Sequence, residues 1–309
     1  MQNVYVGIDI GGTNTSIGLV NNDGIILSKT TIKTTNYETI EDYVKALYIK
    51  INELKNKINL PLAGIGIGAP NGNYYSGAIE NAVNIKWKGI IPISNMIENY
   101  TGLKTLLTND ANAAAIGELY YGGAKGMKDF ITITLGTGIG GGIVINGNIM
   151  HGHNGLAGEI GHMILFPVEG RKCNCGRQGC FEAYCNANGI VTTYLELSNK
   201  NIKNLTPKII LELALQGDKY ALKTYNKTGE ILGLALANCI CIFNPEAIFL
   251  FGGIIKANDL LFKTTLESLE KNIPHMFKGK TKILKSILPE ADAAILGAAA
   301  LNIKQINFV

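Results

Sequence analysis

The sequence predicts an α/β fold made of two lobes, and three observations support this prediction. Strand and helix patterns alternate along the N-terminal part of the chain. A strand, a glycine-rich turn and a second strand follow one another twice, starting at Val4–Ile10 and again at Lys128–Leu135, which indicates two lobes with related openings. The chain has 309 residues, of which 47% are hydrophobic and 17% charged, so it can bury a large core.

The first lobe is predicted to begin with strands, because short apolar runs are separated by turn residues. Asn22-Asp23-Gly24 lies between the second and third runs and is a β-hairpin signal. Tyr37–Asn56 has apolar residues at helical spacing and predicts a helix. The strands of this region are predicted at Val4–Ile10, Ser16–Val20, Gly24–Thr30 and Ala63–Ile67.

A later junction of strand and helix marks the expected boundary between the lobes. Leu103–Thr108 has the pattern of a strand, and the alanine-rich Ala111–Tyr121 has that of a helix. A closing helix at Ala293–Ile303 is expected to pack on the first lobe. The predicted small lobe is therefore residues 1–109 with residues 293–309, and the predicted large lobe is residues 110–292.

Composition excludes several classes of partner. The formal net charge is +4, and Arg171 and Arg177 are the only arginines, which is too weak and scattered a charge for a nucleic-acid surface. The start of the chain has the pattern of a strand, not of a signal peptide. The longest apolar stretch begins at Ile231 and ends before Pro245, too short to cross a bilayer. Six cysteines are then expected as reduced thiols or metal ligands, in a cytoplasmic protein without membrane or nucleic-acid partners.

The first glycine turn follows a strand directly and has the residues of a phosphate site. Gly11 and Gly12 permit positive φ and let backbone N–H groups approach phosphate oxygens closely. Asp9 can hold a water ligand of Mg²⁺, and Thr13 beside Asn14 can donate a hydroxyl. A tight hairpin with a capping Asp is the alternative.

A second glycine turn strengthens the phosphate interpretation. Thr134–Gly142 contains five glycines in nine residues after an apolar strand, which is costly in backbone entropy unless a ligand or a sharp turn requires it. Together the two turns suggest ATP bound between the lobes through residues that include Gly136, Thr137 and Gly138. Gly252 and Gly253 form a third strand-to-glycine turn that could contact the nucleoside, with a simple turn as the equal alternative.

Asn109-Asp110 stands where a predicted strand meets a predicted helix. Helix capping favours Asn and Asp and would explain one of the two. Phosphoryl transfer needs a group that orients the attacking hydroxyl and accepts its proton, and a carboxylate suffices. Asp110 is therefore the candidate general base.

One segment combines an imidazole with three thiols. His162, Cys173, Cys175 and Cys180 form a Cys₃His set suited to a structural, tetrahedral Zn²⁺, with Gly176 and Gly179 allowing tight turns around it. Free buried thiols and a disulfide are the weaker alternatives. Glu159 and Glu182 flank this segment and could accept hydrogen bonds from sugar hydroxyls. The remaining cysteines, Cys185, Cys239 and Cys241, are expected in the core.

These segments together resemble the ROK family (repressors, open reading frames and kinases) of the actin-like sugar-kinase superfamily. The matching motifs are DIGGTNT at Asp9, TNDANAAA at Thr108, TLGTGIGGG at Thr134, and E-x-G-H at Glu159 followed by C-x-C-G-x-x-G-C-x-E ending at Glu182. The resemblance implies a two-lobed actin-like ATPase (ribonuclease H-like) fold with an inter-lobe cleft, and a homodimer. It implies Asp110 as base and sugar contacts from Asn84, Asn109, Glu159, His162 and Glu182. The chain departs from the family pattern at Asn71-Gly72-Asn73 after Pro70, and at Cys185, where serine is common.

The predicted function is ATP-dependent phosphorylation of a hexose at its 6-hydroxyl, with glucose as the leading substrate. N-acetylmannosamine, fructose and allose are alternative hexoses, because epimer choice depends on small displacements. A sugar-responsive repressor would carry a helix-turn-helix module ahead of this region. The first predicted strand begins at Val4, so a repressor is disfavoured. A non-catalytic sugar sensor is disfavoured because both glycine turns and Asp110 are intact.

Overall fold

The structure is a computed structural model that describes residues 3–58 and 60–302 of the chain. The end of the predicted closing helix, residues 303–309, lies outside the described residues. Across the described part, no helix combines the length and apolar character needed to span a bilayer.

The described residues form a mixed α/β structure, as the sequence predicts. Its strands are β1 (Val4–Ile10), β2 (Asn14–Asn21), β3 (Ile26–Lys33), β4 (Leu62–Ala69), β5 (Gly72–Asn73), β6 (Ala78–Glu80), β7 (Ile90–Ile91), β8 (Thr105–Asn109), β9 (Phe130–Leu135), β10 (Ile139–Ile145), β11 (Asn148–Ile149), β12 (Ala247–Phe251) and β13 (Lys282–Lys285). Its helices are α1 (Ile40–Lys55), α2 (Ile93–Thr101), α3 (Asp110–Tyr121), α4 (Glu182–Cys185), α5 (Ala187–Ser198), α6 (Pro207–Leu215), α7 (Lys219–Phe243), α8 (Asp259–Asn272) and α9 (Glu290–Ala300).

The chain divides into two compact units. The first contains residues 1–128, 142–158 and 286–309, and the second contains residues 129–141 and 159–285. These bounds differ from the expected lobe bounds, which assign α3 to the large lobe. Helix α3 belongs to the first unit because it packs against α9, where a Cβ built on Gly297 would overlap the carbonyl oxygen of Ala113.

The first unit is built on a five-stranded sheet in the order β3-β2-β1-β4-β8. Strands β1, β2 and β3 are antiparallel neighbours, whereas β1, β4 and β8 run parallel. One face of the sheet packs on α1 and α2 in a buried cluster that includes Val6, Ile8, Tyr43, Leu47 and Ile97. The predicted hairpin between β2 and β3 is confirmed, since Gly24 has a φ of 82° and donates its N–H to the carbonyl of Asn21.

The opposite face of this sheet carries α9 on a row of glycines. Gly18, Gly7 and Gly66 are register partners on β2, β1 and β4. A Cβ built on Gly7 would overlap the carbonyl oxygen of Ile295, and one on Gly66 would overlap that of Ala298. The row therefore lets the backbone of α9 lie directly on the sheet.

In the second unit, β12 lies between β9 and β13, and all three strands run parallel. Helices α7 and α8 pack so closely that a Cβ on Gly233 of α7 would overlap the carbonyl oxygen of Thr265. Leu135 ends β9 and Phe251 ends β12, and Phe251 is the register partner of Thr134. The turns that follow these two strands consequently leave the sheet at the same edge.

We expect Gly66→Ala to lower the stability of the protein. The added methyl group would force α9 away from the sheet, and overpacking of this kind typically costs about 1–3 kcal/mol. Thermal unfolding followed by circular dichroism would measure the loss. Gly136→Ala is the matched control, since no described atom outside residues 135–137 lies within 4 Å of a Cβ at Gly136. Equal melting temperatures for Gly66→Ala and the wild type would contradict the packing argument.

Candidate functional site

Two carboxylates meet at one edge of the sheet in the first unit. Asp9 is the register partner of Gly68, and Gly68 is the partner of Thr108, so parallel strands β1, β4 and β8 bring their carboxyl ends together. Asp110 follows β8 directly, and its Cα lies 3.8 Å from the position of a Cβ on Gly68. Burial, together with the nearby charge of Asp110, raises the pKa of Asp9 from 3.8 to about 6.

The side chains of Asn109 and Asp110 both contact the backbone at the start of α3. Asn109 is the N-cap, and its side chain accepts a hydrogen bond from the N–H of Ala111 at 2.9 Å. Asp110 is the first helical residue and also accepts from that N–H at 2.8 Å. Solvent reaches Asp110, yet desolvation by the protein atoms around it raises the pKa of its carboxyl group, which is the direction that suits a base near neutral pH.

In the first glycine turn, glycine permits the close approach of another backbone segment. Gly11 and Gly12 do not adopt positive φ. A Cβ on Gly12 would instead overlap the carbonyl oxygen of Asn84, so glycine permits this close approach. Thr13 and Asn14 have exposed side chains beside it. The structure thus brings Asn84 against the predicted phosphate turn.

In the second unit, the predicted nucleotide turns lie together. The turn after β9 contains Gly136, Thr137 and Gly138, and the N–H of Gly136 bonds to the carbonyl of Gly138 at 3.0 Å. Gly252 follows β12 with a φ of 111°, and a Cβ there would overlap the carbonyl oxygen of Leu135. Gly253 then begins a short 3-10 helix over Gly253–Ala257.

The predicted metal ligands come together as a closed set. The ligand atoms of His162, Cys173, Cys175 and Cys180 all lie within 4.8 Å of one another. Cys173 Sγ is 3.6 Å from His162 Nδ1, and Cys175 Sγ is 3.7 Å from Cys180 Sγ. A tetrahedral Zn²⁺ with ordinary bond lengths separates two sulfurs by about 3.8 Å and a sulfur from a nitrogen by about 3.6 Å. The donor set therefore fits zinc.

The loop around these ligands uses glycine as the sequence predicts. Gly176 and Gly179 have φ values of 87° and 78°, and a Cβ on Gly179 would overlap the carbonyl oxygen of Phe166. Outside the cluster, Cys185 and Cys239 are buried, and the Cys185 thiol donates to the carbonyl of Thr228. Cys241 is exposed, so its expected place in the core is wrong.

The predicted sugar-binding carboxylates flank the metal ligands. Glu159 precedes the 3-10 helix Ile160–His162, and its Oε2 lies 3.8 Å from His162 Nε2, the ring nitrogen turned away from the thiols. Glu182 begins α4, and its Oε2 accepts a hydrogen bond from the N–H of Ile139 at 2.8 Å. Glu182 therefore contacts the glycine turn as well as the metal loop.

Arg171 has a structural role that no motif in the sequence indicated. Its guanidinium group forms a bidentate ion pair with Glu196 at 3.2 and 2.5 Å and donates to the carbonyls of Ala183 and Gly189 at 3.4 and 3.1 Å. It also lies 4.8 Å from the ring centre of Tyr184. Arg171 thus fastens the metal loop to α4 and α5. One feature of the sequence could have indicated this role. Arg171 lies two residues before Cys173, in a chain with only two arginines.

Comparisons with known proteins decide the family. The model of the ROK family matches residues 5–305 of the chain. The chain belongs to the ROK family. Its relatives in this family include a glucokinase from Halalkalibacterium halodurans, 36% identical over 98% of this chain and 96% of the relative, and a glucokinase from Thermotoga maritima, 35% identical over 98% of each.

Solved ROK structures agree with the fold. A ROK family glucokinase from Streptomyces griseus, in complex with glucose and AMPPNP, is similar with a TM-score of 0.80 and 31% identity, over 97% of this chain and 99% of that one. A ROK hexokinase from Thermus thermophilus is similar with a TM-score of 0.86 and 29% identity, over 97% of each chain. The prediction of an α/β fold of the actin-like ATPase superfamily is confirmed.

The raised pKa of Asp9 predicts a pH-dependent cost to stability. Because the folded state holds the Asp9 proton more tightly than the unfolded state, stability falls as pH rises from about 3.8 to about 6 and stays lowered above that. The cost is on the order of 2–3 kcal/mol. Asp9→Asn removes it, so this variant should be more stable than the wild type at pH 7 and equally stable near pH 4.

Urea unfolding of both proteins without added Mg²⁺, at several pH values, would measure this difference. A difference in unfolding free energy that does not change between pH 4 and pH 7 would contradict the electrostatic explanation.

Proposed function

We propose that this ROK protein is a glucokinase that transfers the γ-phosphoryl group of ATP to the 6-hydroxyl of glucose. The observation that carries the proposal is the pair of carboxylates, Asp9 and Asp110, at one edge of the first unit's sheet. Relatives called glucokinase match nearly the whole chain at 35–36% identity, which favours glucose over the other hexoses and over a non-catalytic sensor.

Asp110 is proposed as the general base. Its carboxylate orients the 6-hydroxyl and takes the proton while the oxygen bonds to the γ-phosphorus and the bond to the ADP oxygen breaks. The raised pKa brings its basicity nearer to neutral pH. Because the Asn109 side chain already caps α3, the helix does not depend on the Asp110 carboxylate for its cap.

The glycine turns are proposed to bind the nucleotide. The turns Gly11–Asn14 and Gly136–Gly138 would contact phosphate oxygens through backbone N–H groups other than those of Gly11 and Gly136, which already donate to the carbonyls of Asn14 and Gly138. Gly252 and Gly253 would contact the nucleoside. Asp9 would hold Mg²⁺ through its water ligands, and Mg²⁺ balances phosphate charge when bound. A bound cation would also relieve the repulsion between Asp9 and Asp110.

The sugar is proposed to be bound by side chains of Asn84, Asn109, Glu159, His162 and Glu182. The Cys₃His set would hold a structural Zn²⁺, whose role is to brace the loop between Glu159 and Glu182. With four protein ligands, the metal has no open position for an activated water. Membership of the family supports two further proposals, a homodimer and a cytoplasmic enzyme with reduced cysteines.

We predict that Asp110→Asn lowers kcat about 10²- to 10⁴-fold while glucose binding persists, because the amide cannot accept the proton but still accepts the N–H of Ala111. A coupled ADP-release assay would give kcat, and calorimetry would give the glucose affinity. Asp259→Asn, at the equivalent first position of α8, is the control that should keep wild-type turnover. A kcat for Asp110→Asn within about threefold of wild type would rule out the base assignment.

Loss of one thiolate should release the metal. We expect one zinc per wild-type chain and a large loss of zinc in Cys175→Ser, with a lower melting temperature and a raised KM for glucose, because the loop is no longer braced. Atomic absorption would measure zinc content. Cys241→Ser, another exposed thiol outside the cluster, should keep its zinc. Full zinc content in Cys175→Ser would refute the ligand set.

A further inference from the structure

The turn that follows β9 is held at both ends by one short segment. Glu182 Oε2 accepts the N–H of Ile139 at 2.8 Å, and the carbonyl of Gly136 accepts the N–H of Ala187 at 2.9 Å. The segment Gly136–Ile139, which is the glycine turn with the first residue of β10, is therefore attached to the first residue of α4 and the first residue of α5. All of these groups belong to the second unit.

The contact of Glu182 with this turn is close. A Cβ on Gly138 would lie only 2.9 Å from Glu182 Oε2, and a Cβ on Gly161 would overlap the carbonyl oxygen of Ile139. The peptide groups of Ile139 are thus engaged on both sides, by the carboxylate of Glu182 and by the glycine of the E-x-G-H motif. A side chain at Gly138 or Gly161 would push these parts away from the turn.

The helix that carries Glu182 is itself fixed. The guanidinium group of Arg171 donates to the carbonyl of Ala183 at 3.4 Å, and the hydroxyl of Tyr184 accepts the N–H of Arg171 at 2.8 Å. A carboxylate on a fixed helix can hold a glycine-rich turn in one conformation. Glycine loses more conformational freedom on ordering than other residues, so this restraint lowers the entropic cost of binding a ligand to the turn.

We infer that Glu182 is a positioning residue for the nucleotide: its carboxylate holds the Gly136–Ile139 turn ready for the phosphates of ATP, in addition to its proposed contact with the sugar. The inference rests on the proposed function, because that function requires ATP to bind and so brings phosphates to this turn. A hydrogen bond from a backbone N–H to a charged carboxylate is stronger than one to a neutral acceptor. Its removal should therefore be felt by the nucleotide when no sugar is present.

Two variants separate the sugar role from the nucleotide role. Glu182→Ala removes the acceptor and should weaken binding of Mg²⁺–AMPPNP about tenfold to a hundredfold in the absence of sugar, as measured by calorimetry. Glu182→Gln keeps a neutral acceptor oxygen for the N–H of Ile139 and should bind Mg²⁺–AMPPNP with an affinity between those of Glu182→Ala and the wild type. Both variants should raise the KM for glucose. Glu212→Ala, which removes an exposed carboxylate of α6, is the control and should bind AMPPNP as the wild type does.

Hydrogen exchange followed by mass spectrometry adds a direct measure. The peptide containing Ile139 should lose protection in Glu182→Ala and keep it in Glu182→Gln, with unchanged melting temperatures confirming that both variants fold. Wild-type affinity of Glu182→Ala for Mg²⁺–AMPPNP without sugar would overturn the inference while leaving the proposed function intact. Absence of glucose phosphorylation by the wild type, with the affinity difference preserved, would refute the proposed function alone.

Discussion

Direct contact between backbones is the constraint on which both units depend. In the first unit, Gly18, Gly7 and Gly66 form a row across three strands. Carbonyl oxygens of α9 lie where side chains at Gly7 and Gly66 would otherwise stand, and the Ile295 side chain lies over Gly18. Any side chain in this row would lift α9 from the sheet, and α9 also supports α3, which begins with Asp110. The position of the proposed base therefore depends on glycines whose role is to accommodate α9.

The same constraint shapes the candidate binding turns within each unit. The absence of a side chain leaves room for a neighbouring carbonyl group at three glycines. These are Gly12 beside Asn84, Gly252 beside Leu135, and Gly161 beside Ile139. In each case a glycine lets a loop lie on the end of a strand. These contacts fix the loops without adding side-chain bulk at the glycine positions.

The sequence predicted much of this arrangement, and its failures have physical causes. The strands at Val4–Ile10 and Phe130–Leu135 and the four metal ligands could be found because apolar periodicity and ligand chemistry are local signals. The glycine row could not, since it depends on which strands become neighbours. Cys241 was expected in the core because its neighbours in sequence are apolar, although Lys223, Glu230 and Asn238 lie at helical spacing on the same exposed side of α7.

Gly136 differs from the other glycines of the site. Its φ is not positive, and no described atom outside residues 135–137 lies within 4 Å of a Cβ built on it. Neither a left-handed backbone nor packing against other described residues therefore requires glycine there. Glycine at the end of a strand still costs conformational entropy on folding. Glycine at position 136 is therefore better explained by a bound ligand than by contacts within the protein. A phosphate group approaching the N–H groups of the turn, whose two ends are held by Glu182 and Ala187, would need the space that a side chain at this position would fill.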